Sequence, residues 1–257
     1  MSRVLPILFN TEMIRAILDG RKTCTRRLVK PQPDEQHTCP LGYVVHSTEK
    51  KDEGCFGFSV DEHSGSIQYA KLPYQPGDIL YVRETVWQKV GHYLDVDGET
   101  KPSWYNEFRY VATDEKPETG WNYSWAKRPS IHMPKEAARI WLRVMDVRVE
   151  QLQDITEDGV WDEGFRFKPP CLTRVSADGH TCDLDGPCRS SIKYCDMTMG
   201  ELFGRELWNS TIKKSDIDRY GWDANPWVWV IEFERCEKPA ESPYAWNDAI
   251  HKLTKGV

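Results

Sequence analysis

With 257 residues, 39% apolar and 29% charged, the chain suits one large globular domain or two small ones and excludes fibrous, collagen-like and wholly disordered readings. Its 34 basic and 40 acidic residues leave a net charge of −6, which argues against bulk coating of a nucleic-acid backbone. The apolar runs fall far short of the roughly 18 residues that a bilayer span needs, and residues 1–20 lack the pattern of an export signal. A cytoplasmic, reducing setting is therefore expected, in which the eight cysteines are free thiols or metal ligands rather than disulfides.

In chain order, Asn10 is placed to cap a short helix carrying Met13, Ile14, Ile17 and Leu18 on one face, with Gly20 as its left-handed stop. Thr23 to Val29 reads as a strand ended by Pro31 and Pro33. Residues 31–72 show no sustained period and read as an insertion or long loop. Pro76-Gly77 suits a type II turn that leads into one strand over Ile79–Trp87. A second insertion, 88–130, carries Trp104, Tyr105, Tyr110, Trp121, Tyr123 and Trp125; it reads as a packed lid whose aromatics add to a core or stack bases.

From Ile140 the apolar alternation slips near Met145-Asp146, predicting a long strand with a bulge, as suits a curved barrel. Thr156 caps a short helix stopped by Gly164, and residues 166–197 form a third insertion. Thr198 with Glu201 is a capping-box pattern opening a helix through Leu207, Trp227–Glu234 reads as a buried strand, and residues 236–257 as a helical tail begun at Ser242-Pro243. Residues 1–235 thus read as one mixed α+β domain with three insertions, closer to a small elaborated barrel than to a doubly wound sheet.

Chemistry concentrates in Gly20-Arg-Lys-Thr-Cys-Thr-Arg-Arg27, where an amine, small nucleophile candidates and three guanidinium groups share eight residues. A threonine hydroxyl needs a base to become a nucleophile, and a lysine serves only if burial or the neighbouring Arg21, Arg26 and Arg27 depress its pKa. By themselves such basic residues are more often a solvated face.

Gly20-Arg-Lys-Thr-x-Thr resembles the signature of the ASCH-domain family, a PUA-like fold. Thr156-Glu157 followed by Glu163, Val230-Ile-Glu-Phe233 and Pro76-Gly-Asp78 resemble further blocks of that family, and together the blocks span about 100 residues. The resemblance implies a PUA-like small β-barrel with flanking helices, elaborated here by insertions as in larger phage-related members. It also implies a metal-independent amidohydrolase acting on N4-acylated cytosine nucleosides such as N4-acetylcytidine, with catalytic residues at Lys22, Thr25 and Glu163. In that scheme Lys22 takes the proton of Thr25, Thr25 attacks the acyl carbonyl, and Glu163 orients Lys22 and helps protonate the leaving amine. Arg27 or backbone N–H groups hold the oxyanion, and Phe9, Arg27 and Glu84 are the substrate-binding candidates. Because strand side chains alternate, Lys22 must sit in the turn and Thr25 on the strand.

Other residues keep two readings. Glu84 either accepts from a cytosine edge or pairs with Arg83 or another base, and His132 lines the cavity or is structural. Cys24, beside three arginines, is a candidate reactive thiol. Cys171, Cys182, Cys188 and Cys195, near His180, are candidate ligands of a structural zinc, and Cys39 and Cys55 with His37, His46 and His63 form a looser set. The alternative to hydrolysis is a PUA-like module in which the basic turn binds RNA or a modified base, or cleaves RNA.

Overall fold

The computed structural model describes residues 2–47, 49–63, 65–94, 96–166 and 197–240. The chain is α+β, mostly strands in three sheets with a few short helices. The central sheet has five strands: β1 (Val4–Leu8), β2 (Cys24–Leu28), β6 (Ile79–Arg83), β10 (Trp141–Gln151) and β11 (Trp227–Cys236), in the order β1-β6-β10-β11-β2. Only the β1–β6 pair is parallel. Backbone pairing leaves β1 and β2 as the two edges, and the Arg27 side chain of β2 reaches across to donate to the Leu8 oxygen of β1 at 3.0 Å.

Alternation along β11 supplies both faces of this sheet. Trp229, Ile231 and Phe233 enter one core with Ile7, Ile14, Ile17, Leu80 and Leu142, while Val228 and Val230 enter a second with Leu152, Val160, Phe203 and Trp222. Each fully buried large side chain contributes roughly 1.5–3 kcal/mol of transfer free energy. The bulge in β10 falls between Val144 and Asp146, where the sequence pattern slips. The turn before β6 also forms as read: Gly77 has φ 86°, Asp78 N–H donates to the Gln75 oxygen at 3.0 Å, and the Asp78 carboxylate accepts from Arg3 Nε at 3.0 Å, tying that turn to β1.

Two insertions are sheets. Residues 31–72, read as an insertion or long loop, contain β3 (Cys39–Tyr43), β4 (Cys55–Ser59) and β5 (Ile67–Lys71). β4 packs Phe56 and Phe58 on the central sheet, with ring centroids 5.8 Å from Trp229 and 5.4 Å from Trp227. Glycines and prolines interrupt the period of these strands, so burial rather than alternation holds them. Residues 88–130 contribute to a sheet ordered β8-β7-β9, comprising β7 (Val86–Leu94), β8 (Thr100–Tyr110) and β9 (Tyr123–Arg128).

The single strand expected over 79–87 is two strands. At Glu84 the backbone N–H turns to Met133 Sδ at 3.1 Å and the carboxylate to Arg139, which ends β6 and starts β7 in another sheet. Helix α1 (Thr11–Leu18) has its Asn10 cap, α2 (Glu157–Asp162) its Thr156 cap, and α3 (Met199–Leu202) its full capping box at Thr198 and Glu201. The helix read through Leu207 continues instead as a π-helical turn, Phe203–Trp208. No helix among the described residues is long and apolar enough to cross a membrane. The tail helix and the Cys171, Cys182, Cys188 and Cys195 set lie outside the described residues.

Candidate active site

The site forms where the end of α1, the start of β2 and the end of α2 converge. Gly20, at φ 73°, reverses the chain after α1, so that the N–H groups of Arg21 and Lys22 both donate to the Ala16 oxygen, at 2.8 and 3.1 Å. Lys22 then makes an isolated antiparallel bridge with Glu163 at the end of α2. Gly164 permits that approach twice over. Its φ is 75°, and an added Cβ would fall 2.8 Å from Ala16 Cβ and 2.9 Å from Lys22 Cβ. Lys22 thus occupies the turn and Thr25 the strand, the arrangement that strand alternation requires.

Lys22 Nζ donates to Glu163 Oε2 at 2.5 Å and to the Glu163 main-chain oxygen at 3.0 Å. The other carboxylate oxygen, Oε1, accepts from Arg26 N–H at 2.6 Å and lies 3.5 Å from Arg26 Nη1. The pair is sealed, with side-chain exposures of 0% for Lys22 and 3% for Glu163. Burial pushes the Lys22 ammonium below its ordinary pKa; the Glu163 carboxylate pulls it back and Arg27 adds to the lowering. Of the three arginines expected to act on Lys22, Arg21 is instead held by Asp19 at 2.8 Å, and Arg26 serves Glu163 and Glu150.

Thr25, fully buried, accepts from Arg27 Nη1 at 3.0 Å, and that guanidinium also donates to the Arg26 and Leu8 oxygens. Among the described hydrogen bonds none joins Lys22 to Thr25. Phe9 packs beneath both cations, its ring centre 5.6 Å from Lys22 Nζ and 5.3 Å from Arg27 Cζ. Thr25, Arg26, Arg27 and Glu163 open onto a cavity of about 330 Å3 along the β2 edge. Phe203, Leu207 and Trp208 from the π-turn also line it, as do Met13 and Tyr74. Widening a helical turn to π brings residues four and five apart onto one side, which is how three apolar side chains of this segment reach one cavity. Gly204 lets the turn close on Trp222, since a Cβ there would sit 2.0 Å from the indole.

The site therefore brings Lys22, Thr25, Glu163, Arg27 and Phe9 together, with Phe9 as floor beneath the cations rather than as cavity wall. Glu84 is not part of it. That carboxylate is 2% exposed and takes a bidentate pair from Arg139, at 2.8 and 3.0 Å, away from the cavity. His132 is exposed on a 3-10 turn and does not line the cavity. Cys24 is buried and its thiol pushed up to about 12, chiefly by desolvation, so the reactive-thiol reading is corrected. The looser Cys/His set does not assemble either. Among the described residues no three or more His, Cys, Asp or Glu side chains meet as a metal site, and His37 is taken by Asp34 at 2.7 Å and Ser66 at 2.8 Å.

Sequence reasoning missed Arg26 as the clamp on Glu163, Tyr74 as cavity wall and the whole π-turn. The capping box announced a helix there, and nothing in the local pattern announced its widening. Comparison of the chain with protein-family models, with curated proteins and with solved structures gives no match.

Proposed function

We propose that the protein is an ASCH-type amidohydrolase that removes the acyl group from N4-acylated cytosine nucleosides. The buried Lys22–Glu163 pair beside Thr25 at the cavity edge carries this reading. An amine kept out of water and lowered in pKa is the base that a threonine nucleophile needs, and a carboxylate reaching both that amine and the cavity suits a proton shuttle. The sheet order with Arg27 spanning the edge strands β1 and β2 supports a PUA-like small barrel as its frame.

In the proposed reaction Lys22, in its neutral amine form, exchanges one of its Glu163 contacts for the Thr25 hydroxyl and takes its proton. Thr25 Oγ1 then bonds to the acyl carbon, whose oxygen becomes an anion facing Arg27 Nη1, already 3.0 Å from Thr25 Oγ1. Collapse breaks the C–N bond, and the exocyclic amine leaves with the proton relayed from Lys22 through Glu163. Water, deprotonated by Lys22, releases the carboxylic acid and restores Thr25. The apolar wall of Phe203, Leu207 and Trp208 seats the pyrimidine and excludes water.

Incubation with N4-acetylcytidine, following cytidine by chromatography and mass, tests this. Release is expected, with a loss of about 100-fold or more in Thr25→Ala and Lys22→Ala that retain the native circular-dichroism spectrum. No release from folded protein, or release indifferent to both substitutions, overturns the reading. Salt-dependent retention of RNA at the basic turn without turnover would replace it with the binding module.

A further inference from the structure

The β8-β7-β9 sheet has an outer face whose chemistry the cavity does not use. Its inner face is settled by burial, since Val86, Gln88 and Val90 are exposed by 0%, 7% and 4%. Alternation therefore turns Trp87, Lys89 and Gly91 outward. Across the strands Trp87 stands between Arg109 and Lys127, Lys89 beside Trp125, and Gly91 beside Tyr123. Contacts bear this out: Lys89 Nζ lies 4.6 Å from the Tyr123 ring centre and 5.8 Å from that of Tyr105, and Arg109 Cζ lies 5.6 Å from that of Trp125. A Cβ at Gly91 would fall 2.7 Å from Tyr105, so the glycine is what admits that ring, itself 48% exposed, to the face.

Aromatics and cations thus alternate in adjacent rows. Lys89, Arg109 and Lys127 stand against one carboxylate in those rows, Glu107, which lies 2.9 Å from Lys89 and 3.8 Å from Arg109. Three cations against one acid leave an excess of two positive charges, on a chain whose net charge is −6. A protein-binding core would be depleted of charge at its centre. Here cations flank each ring, which suits a ligand that carries flat apolar faces and anionic links in alternation.

We propose that this face binds single-stranded nucleic acid, with bases stacked on Trp125, Tyr105 and Trp87 and phosphates held by Arg109 and Lys127. A duplex hides its base faces, so the platform selects single strands and tolerates any sequence. This site is independent of the cavity and of the chemistry proposed there.

Fluorescence anisotropy of the full chain with labelled oligo(dT) and oligo(rU) of about 12 nucleotides, beside a duplex of equal length, tests the proposal. Single strands bind more tightly than duplex, and log K falls against log salt with a slope of about −1.4, as two phosphate contacts require. Trp125→Ala and the exposed-site variant Arg109→Glu each weaken binding about tenfold or more. Trp104→Ala, on the opposite face, leaves it unchanged. Preference for duplex, binding indifferent to both Trp125→Ala and Arg109→Glu, or binding lost in Arg21→Ala at the basic turn while these two variants bind normally, overturns the proposal. So does a concentration-dependent dimer abolished by Trp125→Ala, which would make a second copy of this chain the occupant.

Discussion

Removing the two partners of the buried ion pair should have unequal effects. Glu163→Gln leaves Lys22, with no exposed side-chain surface, facing a neutral amide whose single oxygen can accept from Lys22 Nζ or from the Arg26 N–H but not from both. Stripping one partner from a buried pair costs about 3–5 kcal/mol. In Lys22→Met the Glu163 carboxylate keeps the Arg26 N–H and, at 3.5 Å, the Arg26 guanidinium, so the loss should be smaller, about 1–3 kcal/mol. The double variant Lys22→Met/Glu163→Gln removes both charges together and should lose less than the sum by about 1–3 kcal/mol. Urea titration with shared m-values reads all three, and Glu163→Gln should also lower Tm by about 10 °C. Additive losses, or a Lys22→Met loss as large as that of Glu163→Gln, would refute a sealed pair shared with Arg26.

Four further outcomes are expected. Because burial lowers the Lys22 pKa below its ordinary 10.5, kcat/KM for the amidase should rise with pH through a midpoint below that value, and a limb that persists in Lys22→Arg would assign it elsewhere. The same shift makes the unfolded chain bind more protons between the folded midpoint and 10.5, so stability from this group should increase with pH across that window. Cys24, pushed from 9.0 to about 12, carries about 1000-fold less thiolate than a free cysteine at pH 8; mass-mapped alkylation of native protein should leave it unmodified while urea exposes it. Glu84→Ala takes both carboxylate bonds from Arg139, which keeps Thr113 Oγ1 at 2.9 Å and part of its surface in solvent, and should cost about 1–3 kcal/mol in urea titration, yet leave KM for nucleoside unchanged, since Glu84 does not line the cavity. A raised KM in folded Glu84→Ala would restore it to the substrate site.

Local signals were legible in the sequence wherever one segment decides its own structure. The Asn10, Thr156 and Thr198 caps, the Gly20 and Gly77 turns and the β10 bulge all form where the pattern puts them. Each rests on a cap or a φ preference within a few residues, or on a slip of alternation along one strand. The strands of residues 31–72 were not legible, because Gly42, Gly57 and Pro40 break the alternation and contacts with Trp227 and Trp229 supply the stability. The break at Glu84 was hidden for a similar reason, since its partner Arg139 lies 55 positions away.

The candidate site divides along the same line. Sequence alone determined that a lysine would sit in a turn with a threonine on the following strand, and that a glutamate would end a capped helix, because chain geometry within each segment requires it. Tertiary structure decided that Lys22 meets Glu163 across 141 positions, that Arg26 clamps the same carboxylate, that Glu84 is spent on Arg139, and that a π-turn walls the cavity. Those outcomes depend on which charges are desolvated together, and desolvation is a property of the packed whole rather than of any one segment.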